Sequence, residues 1–554
     1  MRGVVRNAVT GAGLERALVH IEGEAETGVL TDGEGRFELK DVPVGPQTVR
    51  VRKPGFHDRL YASEEMGYET DGPAHNVLVA AGMAELEFRL TPAPAIFGRV
   101  ELTTGDAGDG IEVALLKQTV HNGRAVWEEA ERTRTNGSGR YRFAGLAEGV
   151  FVVATLPALE SEPAVTAVAT GRGSDVKRWG YRAMYYPSVR KFGGAAKLKL
   201  NAGDKVEANL ILELEPFYTV TAAVTLSGGK PFEGGKGFFD SPPHARLLDA
   251  NGRTLPYPVA WDAASKTFQA SLPNGSYLLA AGTTATDPDR SHNGKINSGT
   301  TRGQTMLQGL TEFAVEGHGV AGLRVPLSTQ TGWPIQVRLS SSASGTLPNR
   351  LSGGRSLRDL VSVTAVPAGD PGLASSDTLE TVNAVPNRPD GLLLAVEWPA
   401  PMWLTVEVND RSVCVESFTA GSVNLAREPM SVPEVGLAPP MDLTLTDRCG
   451  KLTMALPAAL AAFLPGDEPF YTVYVTPEFS TPVSIAPLTV HASNGQTVSL
   501  DGLTPGRYRV YTLRQPVRLE WRDTEAMAAL GLRGQEVTVD SAGAAQLVLE
   551  VGER

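Results

Sequence analysis

Long apolar runs are missing from this 554-residue chain. No stretch approaches the roughly 18–20 residues that a membrane-crossing helix needs, and the segment LPAALAAFLPG is short and bracketed by Pro457 and Pro465. Cysteine is nearly absent: two residues, Cys414 and Cys449, permit at most one bridge. Positive charge is in deficit, with 51 Lys and Arg against 62 Asp and Glu, a net charge of −11 and a pI near 5.4. That balance argues against wholesale nucleic-acid binding, which favours a basic face, while leaving room for a local basic patch. The N-terminal MRGVVRNAVTG has no apolar signal core. A cytoplasmic chain and a mature chain that has lost its leader share that feature, so it decides nothing.

Catalytic signatures are missing as well. The eight histidines are His20, His57, His75, His121, His244, His292, His318 and His491, and none is followed three residues later by Glu. A zinc carboxypeptidase would need His and Glu close in sequence with a further His. NGSGR around Ser138 lacks the first glycine of a nucleophile elbow. GGKPFEGGKG has Lys230 where a phosphate loop's first glycine belongs, and no Ser or Thr follows Lys236. TDPDRSHNGK offers Asp289 and Asn293 to a cation but without calcium-loop spacing, which reads as a solvated turn. The expectation is no catalytic residue, no metal and no cofactor, hence no enzyme.

What the chain has in quantity is glycine (60), proline (38) and hydrophobic residues (42 %), the composition of a folded chain of many short elements joined by turns. Its length exceeds what one core supports, so several domains are expected. TDGEGRFELKDVPVG (Thr31 to Gly45) returns as TNGSGRYRFAGLAEG (Thr135 to Gly149), each anchor displaced by 104 residues. Asp32/Asn136, Gly33/Gly137, Gly35/Gly139, Arg36/Arg140 and Phe37/Tyr141 match in place, and GVV at Gly3 resembles GRV at Gly98. Asp-Gly and Asn-Gly tolerate the positive φ of tight turns. The Arg-Phe-Glu-Leu and Arg-Tyr-Arg-Phe that follow alternate as half-buried strands do. The repeated stretch therefore reads as a hairpin and its connection, not as an active-site loop.

Weaker echoes carry Gly275 and Tyr277, then Leu503, Pro505, Gly506 and Tyr508; GLLLAVEWPAPMWLTVEV is a degenerate copy. The fold class is all-β, a tandem array of about five β-sandwiches. Joints near LTPAPAIFG, LELEPFYTV, LSTQTGWPI and GLAPPMDLT divide it into 1–92, 93–215, 216–329, 330–440 and 441–554. Only PAALAAFL and TEAMAALG hint at helix.

The segment GVVRNAVTGAGLERALVHIEG…GVLTDGEGRFELKDVPVGPQTVRVRKPGF resembles the carboxypeptidase regulatory-like domain, a transthyretin-like seven-stranded β-sandwich. The resemblance covers residues 1–92 and recurs in 95–155, and GYRAMYYPSVRKFGGAAKLKLNAGDKVEANLILEL is similar to the tail of such domains in large bacterial proteins. It implies an extracellular, periplasmic or cell-envelope setting and no activity of its own.

Two constellations remain. Cys414 and Cys449 flank the last joint, and an oxidising compartment would join them across it; two separate thiols are the alternative. KRWGYRAMYYPS gathers Trp179, Tyr181, Tyr185 and Tyr186 beside Arg182, a set able to stack on a ligand and reach its polar groups, or to pack back onto its own sandwich. The expected function is a non-catalytic spacer, adhesion or binding module with a carbohydrate or protein partner at the cell surface. The alternatives are a carbohydrate- or peptide-binding accessory unit of a hydrolytic system, and a hydrolase whose site forms only in three dimensions.

Overall fold

In the computed structural model the alternating segments are strands, and hydrogen bonding sorts them into five consecutive sets. The structure describes residues 1–550 apart from 23–27, 59–73, 161–176, 227–228, 230–242, 251, 287–303, 330–332, 341–359, 369–372, 374–381, 384, 389–390, 395–400, 431–439, 458–469, 485–486, 492–496 and 515–516. GGKPFEGGKG (but for Gly229), TDPDRSHNGK from Asp287 and PAALAAFL from Ala458 lie outside the described residues.

One topological rule recurs in all five sets: the first strand pairs in parallel with the last. Arg2–Asn7 takes Leu86–Pro92, and Ala95–Leu102 takes Lys205–Glu207 and Leu210–Leu212. Leu214–Leu226 takes Val320–Thr329, Trp333–Leu339 takes Met441–Thr446, and Gly450–Ala455 takes Ala544–Val548. Parallel neighbours run in one direction, so the chain enters each set at one end and leaves at the other. Each set encloses its own core, such as Val5, Val19, Phe37, Val51 and Phe88 in the first and Ile96, Val113, Phe143, Val153 and Leu210 in the second.

The joint expected at 440/441 moves. Met441–Thr446 belongs to the fourth set, between Trp333–Leu339 and Cys414–Ala420. Its alternating face, Met441, Leu443 and Leu445, is fully buried in the fourth core. The alternation of MDLTLT closes a sheet here rather than opening one, and the fifth set begins with the strand Gly450–Ala455.

The repeat has one physical basis in both copies. Asp32 Oδ1 accepts from the backbone N–H of Glu34 and Arg36, and Asn136 Oδ1 from those of Ser138 and Arg140. Gly35 (φ +80) and Gly139 (φ +74) press on the carbonyls of Val5 and Val100, where an added Cβ would lie 2.4 and 2.5 Å away. Across the sheet the next aromatic covers a glycine, Phe37 opposite Gly3 and Tyr141 opposite Gly98. In the later echoes the tyrosine turns back on its own strand start. Tyr277 and Tyr508 donate to the carbonyls of Pro273 (2.7 Å) and Thr504 (2.6 Å), the corner device of β-sandwiches.

The second set is buried on both faces of one sheet. Gly149–Thr155 turns Phe151 and Val153 to the inner core, while Val152 and Ala154 face an outer cluster with Leu116, Tyr185, Phe192 and Leu373. This is why VFVVAT reads as an unbroken apolar run. The third set is one continuous ten-stranded sheet rather than two separate ones, and it includes Ala158–Leu159 and Lys177–Tyr181 from the second set. TEAMAALG is helical over Thr524–Leu530, capped by Asp523, whose carboxylate accepts from the N–H of Glu525 and Ala526, and ended by Gly531 at φ +63.

Candidate functional site

The structure spreads the KRWGYRAMYYPS residues over several environments. Lys177–Tyr181 leaves the second set and lies antiparallel to Leu214–Leu226, with Trp179 opposite Pro216. The Tyr181 ring enters the second core and its hydroxyl donates to Glu160 Oε1 at 2.6 Å. Burial, then the Glu160 carboxylate, pushes that phenol well above its ordinary range. Arg182 donates through Nε to Glu215 and through Nη2 to the Asn274 carbonyl at 2.8 Å, tying the second set to the third. Burial works against its charge, but Glu215 outweighs it and the guanidinium is held above its usual value. Tyr185 packs edge-on against Phe192 in the outer cluster, and Tyr186 packs against the inner core. Of the four aromatics only Trp179 is broadly exposed, at 44 %. The four rings therefore do not make one aromatic face.

Cys414 and Cys449 are joined, with Cα atoms 5.7 Å apart. Cys414 opens a strand of the fourth set, and Cys449 immediately precedes the first strand of the fifth. The bridge thus clamps the joint at the start of the fifth set. Beside it, Thr504 Oγ1 donates to the Val415 carbonyl at 3.0 Å. A short parallel bridge joins Val406 to Val483, with Val406 N–H on the Pro482 carbonyl and Ser484 N–H on that of Val406.

A second constellation, unread in the sequence, lies where three sets meet. The hairpin Glu112–His121 to Arg124–Arg134 turns at Asn122 (φ +46) and Gly123 (φ +73), the two positive-φ residues of a tight I′ turn. Its tip reaches the fourth and fifth sets. The Arg124 Cζ lies 3.4 Å from the Trp403 ring centroid, and its Nη2 donates to the Ala426 carbonyl at 3.2 Å. Arg522 stacks on Trp521 at 4.1 Å and donates through Nε to the Asn122 carbonyl at 2.8 Å. The Asn122 carboxamide oxygen accepts from Arg522 Nη2 and Thr405 Oγ1, and its NH2 donates to the Val483 carbonyl. The Trp521 ring covers Gly123 so closely that an added Cβ would lie 2.4 Å from it.

Asn122, Arg124, Trp403, Thr405, Ala426 and Arg522 border a cavity of about 10 Å3, lined also by His121, Thr481 and Pro482. Among the described residues neither arginine is paired with a carboxylate. Burial pushes both guanidiniums down; Arg522, also facing the Arg124 charge, falls to about 9 and is still cationic at neutral pH. Among the described residues no three His, Cys, Asp or Glu side chains gather as a metal site, and no helix is long and apolar enough to cross a membrane.

No curated protein matches the chain. Solved structures with some similarity include a streptococcal ancillary pilin (10 % identity, 60 % of this chain and 99 % of that one, TM-score 0.20). Two B repeats of the collagen-binding protein of Staphylococcus aureus align at 11 % identity over 77 % of this chain and 94 % of that one, TM-score 0.15. The major pilin subunit of Bacillus cereus aligns at 8 % identity over 83 % of this chain and all of that one, TM-score 0.13. Similarity this slight carries no functional inference. Over residues 1–86, which hold the first strand set almost entire, the chain matches the family model of the carboxypeptidase regulatory-like domain.

Proposed function

We propose that the chain is a non-catalytic structural or adhesive module of a bacterial cell envelope or secreted assembly, with the five strand sets as its domains. The observation that carries this reading is the knitting of neighbouring sets. Lys177–Tyr181 of the second is a strand of the third set's sheet, locked there by Arg182 on Glu215 and Asn274. Tension entering one set passes to the next through backbone hydrogen bonds rather than through a bare linker. The disulfide at the last joint serves the same end and belongs to an oxidising compartment. A carbohydrate or protein at the cell surface is the partner this reading calls for.

Pulling the full chain from its two ends in a single-molecule instrument tests the proposal. The second and third sets should yield in one coupled event, at higher force than the first set. Five separate events of similar force would refute this reading.

The exposed Trp179 at the seam favours a second reading, an accessory unit that binds polysaccharide or peptide. Quenching of tryptophan emission by soluble polysaccharides, lost in Trp179→Ala, would support it; a pure spacer shows none.

A further inference from the structure

The junction of the second, fourth and fifth sets carries two positive charges that no described carboxylate balances. Arg124 and Arg522 both line the cavity, each held in place by an indole face and a backbone carbonyl. Among the described residues no acidic side chain lines the cavity. Both guanidiniums are partly withdrawn from water with no described counter-charge, which works against their charged forms. Stacking on tryptophan offsets only part of that. The arginines are not loose surface side chains that could swing away: Arg522 also shares the Asn122 carboxamide that joins all three sets.

We propose that this cavity is an anion site, occupied by one monatomic monovalent anion of chloride size held between the Arg124 and Arg522 guanidiniums. The size follows from the space. About 10 Å3 is open to the centre of a water-sized body, so one ion of chloride size fits and a sugar acid does not. The chemistry follows from the donors: the Arg124 N–H groups left over after the Ala426 carbonyl, those of Arg522 left over after Asn122, and no acceptor charge to compete. Its consequence is mechanical. The anion strengthens the contact by which the hairpin tip at Asn122–Gly123 holds the joint of the fourth and fifth sets.

Two measurements on the full chain test this. Crystals grown without halide and soaked in sodium bromide should show an anomalous peak between the two guanidiniums. In solution, replacing gluconate, which is too large for the cavity, by chloride at constant ionic strength should raise the melting temperature saturably. Arg522→Met and Arg124→Met should each abolish that chloride-specific rise. A peak absent from this cavity, or a melting temperature that follows ionic strength alone, would overturn the proposal and leave the site to water. The bromide measurement needs only the unaltered protein, so a variant that fails to fold does not blunt the test.

Discussion

Replacing Cys414 and Cys449 together by alanine removes the covalent clamp at the last joint, and the loss can be worked from the chain. The two residues are 35 apart in sequence. On the chain-entropy model a closed loop of that size restricts the unfolded state by roughly 13 cal/mol/K, which is about 4 kcal/mol at 25 °C. Cys414 is fully buried and alanine is smaller, so a little packing is lost in addition. Because a chain of several domains does not unfold in one step, a global midpoint would blur the effect. Hydrogen exchange resolved by peptide does not. If the fourth set exchanges by opening as a unit, protection over Met402–Val408 and Cys414–Ala420 should fall by roughly a thousandfold, the factor equivalent to about 4 kcal/mol. The strands of the first set, Arg2–Asn7 and Gly45–Arg52, should be unchanged. Adding reductant to the native protein should reproduce the pattern. Equal protection of the fourth set in oxidised, reduced and alanine forms, within a factor of about three, would refute the reasoning: the loop would then be no freer in the unfolded state without its bridge.

Gly123→Ala should release the hairpin tip. It adds a methyl at φ +73 into the Trp521 ring, costing about 1–2 kcal/mol in backbone strain alone, and should show as faster proteolysis within 112–134 and a larger radius of gyration. Tyr277→Phe and Tyr508→Phe each delete a hydroxyl bond to a carbonyl four residues back. Each should cost about 0.5–1.5 kcal/mol by chemical denaturation, and the two should add because they lie in different cores. Burial raises the phenols of Tyr141, Tyr181, Tyr277 and Tyr508 above the ordinary value, and Tyr257 to about 12. The unfolded chain therefore loses these protons first. The phenols' contribution to stability should be level below pH about 10 and be lost as pH rises through the raised folded values, with a late phase in the phenolate absorbance that disappears in denaturant.

The repeat was legible because its determinants are near neighbours. Asp32 and Asn136 hold N–H groups two and four residues on, and Gly35 and Gly139 supply a positive φ. Tyr508 reaches back only to Thr504, and Asp523 caps a helix that begins at the next residue. The family resemblance over the first set rests on this same local grammar. The Cys414–Cys449 pair could be named because only two cysteines exist.

The joint at 440 was misplaced because alternation marks a strand but not which sheet takes it. Met441–Thr446 has the same pattern as an opening strand and was assigned by the space left in the fourth core. The aromatics of KRWGYRAMYYPS are adjacent in sequence yet dispersed, since two sheets compete for the segment and Lys177–Tyr181 completes the third. The two-arginine cavity had no local signal at all. Its hydrogen bonds join residues 283, 302 and 400 positions apart.

The sequence by itself thus determined the strands, their turns and their chaining into sandwiches, because backbone dihedrals and the two-residue period act over a few residues. Tertiary structure alone decided which edge Lys177–Tyr181 would join and which surfaces would bring Arg124 and Arg522 together. Those choices rest on the meeting of whole surfaces, for which no short stretch of chain carries a preference.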